Sequence, residues 1–460
     1  GEVADVPITT IAPGILDFAA EARSFQIDWA VYKQSHFLND AEYDIISRFV
    51  QQRTDEAKLA FIGENGIPLF NVFISLLSKV SKVGTLQYLL TVISDLFEMN
   101  NVGVRALFHE CGKSMKEASW HYFLKILTCK EDDFVVHQAN NILVQLASDG
   151  IEPLDQRNLV VYFMWLCPQI KSTERDASLL ALTSLSKLLR YQPYRRPFYE
   201  QGESINALSY VLTLKYDVHI QAQYLSAYCA WVTTFDPAVA GRLAIDGSNL
   251  TKLMVELLEG TRKPKVVRMC LAYFCNLITL PVTDAEKSRN GTALVGLNML
   301  NIIETVMAST LDQEAQGDAE VLKSTLDRIY EEMSSFDEYA NEITSGRLRW
   351  SPVHTSERFW RENADRLNDQ GFQLLKILIQ LLDPTSQDAE VLAVAAHDVG
   401  QYVTNCKTRG KSNIERLRGK ERIMALLSHE NKEVQYQALV AVQKIMTQNW
   451  SALGVKMGEK

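Results

Sequence analysis

The chain has 460 residues, 47% of them apolar and 22% charged, with a formal net charge of -9 at pH 7. That length suits two or three ordinary domains or one extended repeat array, and the composition excludes a chain too polar to build a core. The acid excess excludes non-specific nucleic-acid binding over the whole surface; no apolar run reaches the uninterrupted length of a bilayer span, and the N-terminus, which begins at Gly1 and not Met, shows no signal-peptide pattern.

Residues 1–13, with Pro7 and Pro13 among β-branched residues, read as a loosely held arm. Helical periodicity follows, first over Ile15 to Gln34 and then over Ala41 to Gln52, with Asn39 or Asp40 placed to cap the second helix. From there to Leu280 the sequence is a series of helical patterns punctuated by Gly, Pro, Asp or Asn, without period-two alternation. The expected class is all-α. The seven cysteines, Cys111, Cys129, Cys167, Cys229, Cys270, Cys275 and Cys406, form no CxxC pair and read as reduced, buried thiols of a cytosolic protein, in apolar helices.

Internal repetition organises these helices. Leu225, Cys229 and Thr233 fall over Leu271, Cys275 and Thr279 at an offset of 46, and Ile205 and Leu208 over Leu250 and Leu253 at 45. Leu89, Val92, Ile93 and Leu96 fall over Ala139, Ile142, Leu143 and Leu146 at 50; Val391, Ala395, Val399 and Tyr402 fall over Val434, Ala438, Val442 and Ile445 at 43. Periods of this size, built from paired amphipathic helices, are those of HEAT and armadillo solenoids, in which each repeat covers its apolar face only by stacking on the next.

From Leu311 to Glu342 the chain carries ten acidic residues against Lys323 and Arg328, a solvated helix face or a docking surface for a basic partner. Next comes a polar, aromatic-rich joint. Gly346 is a helix stop, Pro352 holds Ser351 out of the helical region, and Ser356 is an N-cap before Phe359 and Trp360. Residues 345–355 therefore read as a linker between a domain over 14–344 and a smaller one over 356–460. Within the latter, Lys407 to Arg422 holds seven basic residues against Glu415 and Glu421.

The blocks FDEY (336–339), SGRL (345–348), WSPVH (350–354) and FWREN (359–363) resemble the linker of the H-subunit family of vacuolar-type proton-pumping ATPases. The resemblance continues through LLKILIQLLD (374–383), VLAVAAHDVGQYV (391–403) and ALVAVQKIMTQNW (438–450), and is weaker before Ser334. It implies a non-catalytic regulatory component, without cofactor or metal, on the cytosolic face of vacuolar, endosomal and other acidifying membranes, attached to the membrane only through the complex. The larger domain would bind the peripheral stalk, built of the E and G subunits. The smaller would meet the cytosolic domain of the large membrane-sector subunit (a) or, after the sectors part, the central rotor and the catalytic sector's B subunit. Such a component would couple ATP hydrolysis to proton pumping and silence the detached sector. Gly346, Arg347, Arg349, Trp350, Pro352 and His354 are then the hinge residues, Trp350 by burial and the arginines by pairing with acids; Lys407, Arg409, Gly410 and Lys411 are the expected partner contact.

Catalytic patterns are weak by comparison. Gly112-Lys113-Ser114 and Gly410-Lys411-Ser412 lack the earlier glycine of a phosphate loop, since Leu107 and Asn405 stand there. His397-Asp398, with His354 upstream, is a thin case for a metal-dependent hydrolase; in a packed helix Asp398 is expected to satisfy His397 or a backbone amide. Trp231 and Asn276 do not repeat into a peptide-reading ladder, although a general armadillo adaptor in trafficking is the alternative reading.

Overall fold

The computed structural model describes residues 14–214, 216–333 and 335–452; the expected arm over 1–13 lies outside them. Among the described residues every regular element is helical. Many helices begin where a side-chain oxygen accepts an otherwise orphaned N–H. Asn39 caps Asp40–Val50 with a full capping box, and Thr54, Asp132, Asp155, Asp236 and Asp388 start later helices in the same way.

The first helix differs from expectation. Ile15 to Gln34 divides into the 3-10 turn Ile15–Phe18 and the helices Ala19–Arg23 and Trp29–Gln34. Asp28 accepts the N–H of Ala30 and so opens a new helix where the periodicity suggested a continuous one. The bilayer expectation also needs correcting, because Asp55–Lys79 is long and apolar enough by length and composition to cross a membrane. It contains Pro68 and a break in helical geometry at Asn65, and it buries Leu69, Phe70, Phe73 and Leu76 against neighbouring helices, as a core helix does.

Stacking follows the repeats. The helices Val83–Met99, Asp133–Ala147, Arg175–Leu188, Tyr216–Thr233 and Pro264–Thr279 each pack on the next, and Ser204–Leu212 packs on Leu250–Gly260 in a second row. Each fully buried leucine along these rows, such as Leu182 or Leu271, contributes about 1.5–3 kcal/mol by leaving water. Buried and half-buried polar rungs fix the register: Asn140 donates to Ser184 at 2.8 Å and accepts from Tyr162 at 2.7 Å, and the half-buried Asn276 donates to Thr234 at 3.0 Å. The fold is an armadillo-type helical solenoid. All seven thiols are free; Cys129 is exposed, and Cys275 and Cys406 are half-buried, so not every cysteine is a core residue.

Two compact units are present. One comprises residues up to Asn290 together with Ser309–Ala319, and the other Gly291–Ala308 together with Glu320 onward. The core of the second unit runs from Tyr339, Ile343 and Leu348 through Trp360 and Leu378 to Ala438 and Ile445. Within it Ala389–Asn405 packs along Lys432–Ala452, the pair related by the 43-residue offset. A Cβ on Gly400 would lie 3.3 Å from the Cα of Ala441, so glycine there permits the close approach.

Candidate functional site

The residues expected to form the linker lead into the second unit's core. Ser335 caps Phe336–Ser345, and Gly346 ends it at φ +71°, a conformation that favours glycine. The chain then extends as far as Ser351 (φ -142°, ψ 166°), and Pro352 opens the single turn Pro352–Thr355. Ser356 caps the next helix by accepting from the N–H of Phe359 at 2.9 Å.

That path carries His354 into full burial. Its Nδ1 lies 2.7 Å from Asp398 Oδ2 and its Nε2 lies 2.8 Å from Glu342 Oε1, with His354 and Asp398 both wholly shielded from solvent. The hydroxyl of Tyr339 donates to the same Asp398 oxygen at 3.1 Å. The backbone carbonyl of His354 accepts from Trp360 Nε1 and from His397 Nε2, each at 2.9 Å. Tyr339 stands edge-on to Trp360, ring centres 5.3 Å apart.

An imidazole with a carboxylate on each nitrogen donates from both, which is the protonated form. Burial opposes that charge, but Asp398 and Glu342 outweigh it and lift the His354 pKa to about 10. For Glu342, burial likewise works against ionisation; hydrogen bonds from His354 and the backbone N–H of Arg349 prevail and hold its carboxyl below the usual range. The result is a buried cation that joins the helix before the linker to the helix Ala389–Asn405.

The other linker residues lie around this clasp. Arg349 pairs with Asp388 at 2.9 Å and Glu390 at 3.5 Å, in keeping with pairing to acids. Trp350 keeps 37% of its surface, so it is not anchored by burial; its ring stands edge-on to His397 at 5.1 Å. Arg347 is exposed. Asp398 serves His354 and Tyr339 and not His397, contrary to the sequence-based expectation. Among the described residues no group of three or more His, Cys, Asp or Glu is arranged to hold a metal ion.

The basic loop is a separate, surface feature. Asp365 accepts from the backbone N–H of Lys407 at 3.1 Å and from Thr408 Oγ1 at 2.9 Å, which anchors the loop and leaves Lys407 and Arg409 exposed. Arg409 sits at φ +60°, and Gly410 is buried so tightly that a Cβ would come within 2.8 Å of Cys406 Cβ. Lys411 is half-buried beside Glu415 at 3.7 Å. The corner recurs nine positions on: Arg418 at φ +62°, the buried Gly419, and Lys420 at 3.8 Å from the same Glu415. Sequence reasoning missed this second corner and Asp365, although the repeated tripeptide Arg-Gly-Lys is visible in the sequence.

Two family models described as the V-ATPase H subunit match the chain, an N-terminal one over residues 15–326 and a C-terminal one over residues 332–450. The chain is 36% identical over 440 residues to the V-type proton ATPase H subunit of Drosophila melanogaster, covering 95% of this chain and 91% of that protein. It is 33% identical over 444 residues to the "Probable V-type proton ATPase" H subunit 2 of Caenorhabditis elegans, covering 95% and 92%. Among solved structures, an engineered protein superposes with a TM-score of 0.45 at 17% identity, covering 94% of this chain and 99% of that one.

Proposed function

The chain belongs to the V-ATPase H-subunit family, and on that premise we propose that it is a non-catalytic regulatory component of the peripheral, ATP-hydrolysing sector of a vacuolar-type proton pump. It couples hydrolysis to proton transport in the assembled enzyme and silences hydrolysis in the detached sector. The observation that carries this reading is the ordered pair of matches, residues 15–326 followed by 332–450, which together span both arrays of the solenoid.

Stacked helices move as bodies, since each repeat is buried against its neighbours. The larger array is the attachment to the E and G subunits of the peripheral stalk. The smaller meets the cytosolic domain of the large membrane-sector subunit (a) in the assembled pump, and the rotor and the B subunit after release. The twin Arg-Gly-Lys corners suit a carboxylate-bearing face, because Lys407, Arg409 and Arg418 project from an otherwise acidic chain. Reorientation takes place upstream of Phe336, because Tyr339, Leu348 and His354 share one core with Asp398 and Trp360 and bending within 345–355 would break the buried clasp. The complex holds the chain at the cytosolic face of acidifying membranes.

Reconstitution tests the coupling role. Vesicles bearing a proton pump depleted of this component are assayed for ATP hydrolysis and for acidification before and after the full chain is added. Restored acidification per ATP is the expected result; unchanged acidification with the chain bound would refute the role.

A further inference from the structure

The first sixty residues hold five basic side chains, Arg23, Lys33, Arg48, Arg53 and Lys58. Three have carboxylate partners: Arg23 grips Asp95 through two bonds of 2.7 and 2.9 Å, Lys33 meets Asp40 at 3.1 Å, and Arg48 meets Asp44 at 2.9 Å. Arg53 and Lys58 form no ion pair with any described residue. Both line a single groove of about 310 Å³ in the first unit.

Apolar side chains stand among polar ones in the rest of that groove. Tyr88, Val92 and Met99 share one face of the helix Val83–Met99, with Ile27, Trp29 and Val50 opposite. Val50 is 42% exposed, although it is aliphatic and lies beside a buried core. The one carboxylate in the lining, Asp95, is already taken by Arg23. Asp55 and Glu56, in the first turn of the next helix, are exposed and do not line the groove. Its volume is at the low end of the range of about 300–1,000 Å³ for ligand sites, which admits a few side chains of a segment and not a packed helix.

We propose that this groove docks a short segment of a partner protein in which aliphatic or aromatic side chains are flanked by carboxylates. The apolar side chains cover Val92, Met99 and Val50, and the carboxylates meet Arg53 and Lys58. On a chain with a net charge of -9, two cations without an ion pair beside the groove's apolar side chains give an acidic partner a local attraction that the average surface does not.

Two fluorescein-labelled twelve-residue peptides test this on the full chain by fluorescence anisotropy: both carry the same Leu and Phe core, flanked by Glu in one and by Lys in the other. The Glu-flanked peptide is expected to bind at least tenfold more tightly, and the double variant Arg53→Glu, Lys58→Glu, checked for unchanged helicity and melting, to abolish or invert that preference. Arg418→Glu, on the other unit, leaves it intact. Equal binding of the two peptides, no binding of the Glu-flanked one at millimolar concentration, or a preference unchanged in the double variant overturns the proposal. A photo-crosslinking residue placed at Val50 is expected to capture the bound peptide; capture of residues 1–13 of the same chain in its place shows the groove to be self-occupied and also overturns it.

Discussion

His354 faces Asp398 across 2.7 Å with neither side chain reaching solvent, and the two lie 44 positions apart in the chain. Removing His354 leaves Asp398 buried without a counter-ion, and removing Asp398 leaves the buried His354 cation with Glu342 alone. His354→Gln and Asp398→Leu are therefore each expected to destabilise the second unit by about 3–5 kcal/mol, read as a lowered denaturant midpoint. A loss below about 1 kcal/mol would show that the pair is not a structural cation with its counter-ion.

The same pair sets a pH dependence. The folded-state pKa of His354, about 10, lies above its ordinary value of 6.5. The stability it contributes is fully present below about pH 6.5 and is lost as pH rises through 10, so the second unit weakens from neutral towards alkaline pH. Denaturation series at pH 7, 8 and 9 are expected to show this decline, and His354→Gln to flatten it. Nitrogen-detected NMR at pH 7 should find both ring nitrogens of His354 protonated.

Gly346 and Gly410 differ in why they are glycine. Gly346 takes φ +71° with only Leu381 nearby, so Gly346→Ala costs about 1 kcal/mol of helix-end strain. Gly410→Ala drives a methyl against Cys406 and displaces the loop at about 1–3 kcal/mol, and it is expected to weaken partner binding as well as lower the melting temperature.

Arg409 offers the converse case. At φ +60°, a residue with a Cβ is strained, so Arg409→Gly is expected to raise stability slightly while removing an exposed cation. Improved melting with weaker silencing of ATP hydrolysis would separate the loop's binding role from its structural one.

The repeat architecture was legible because its signal is periodic: Leu225 and Leu271, or Val391 and Val434, occupy equivalent core positions in helices that do stack. Gly346 and Ser356 were legible because capping is local. The clasp was not. Tyr339 and Asp398 stand 59 positions apart, and no spacing rule connects a polar residue on one helix with its partner on another. His397 and Asp398 look like a pair in sequence, but adjacent residues on a helix point about 100° apart, so one reaches the His354 carbonyl and the other its ring. The break at Ser24 to Asp28 was hidden because the apolar spacing continues across it.

The regulatory role is tested most directly by ATP hydrolysis in a purified, detached catalytic sector lacking this component, measured before and after the full chain is added. Strong suppression, relieved by Lys407→Glu with Arg409→Glu and lost on deletion from Phe336 onward, is the expected result. Undiminished hydrolysis with the chain demonstrably bound would contradict the silencing role.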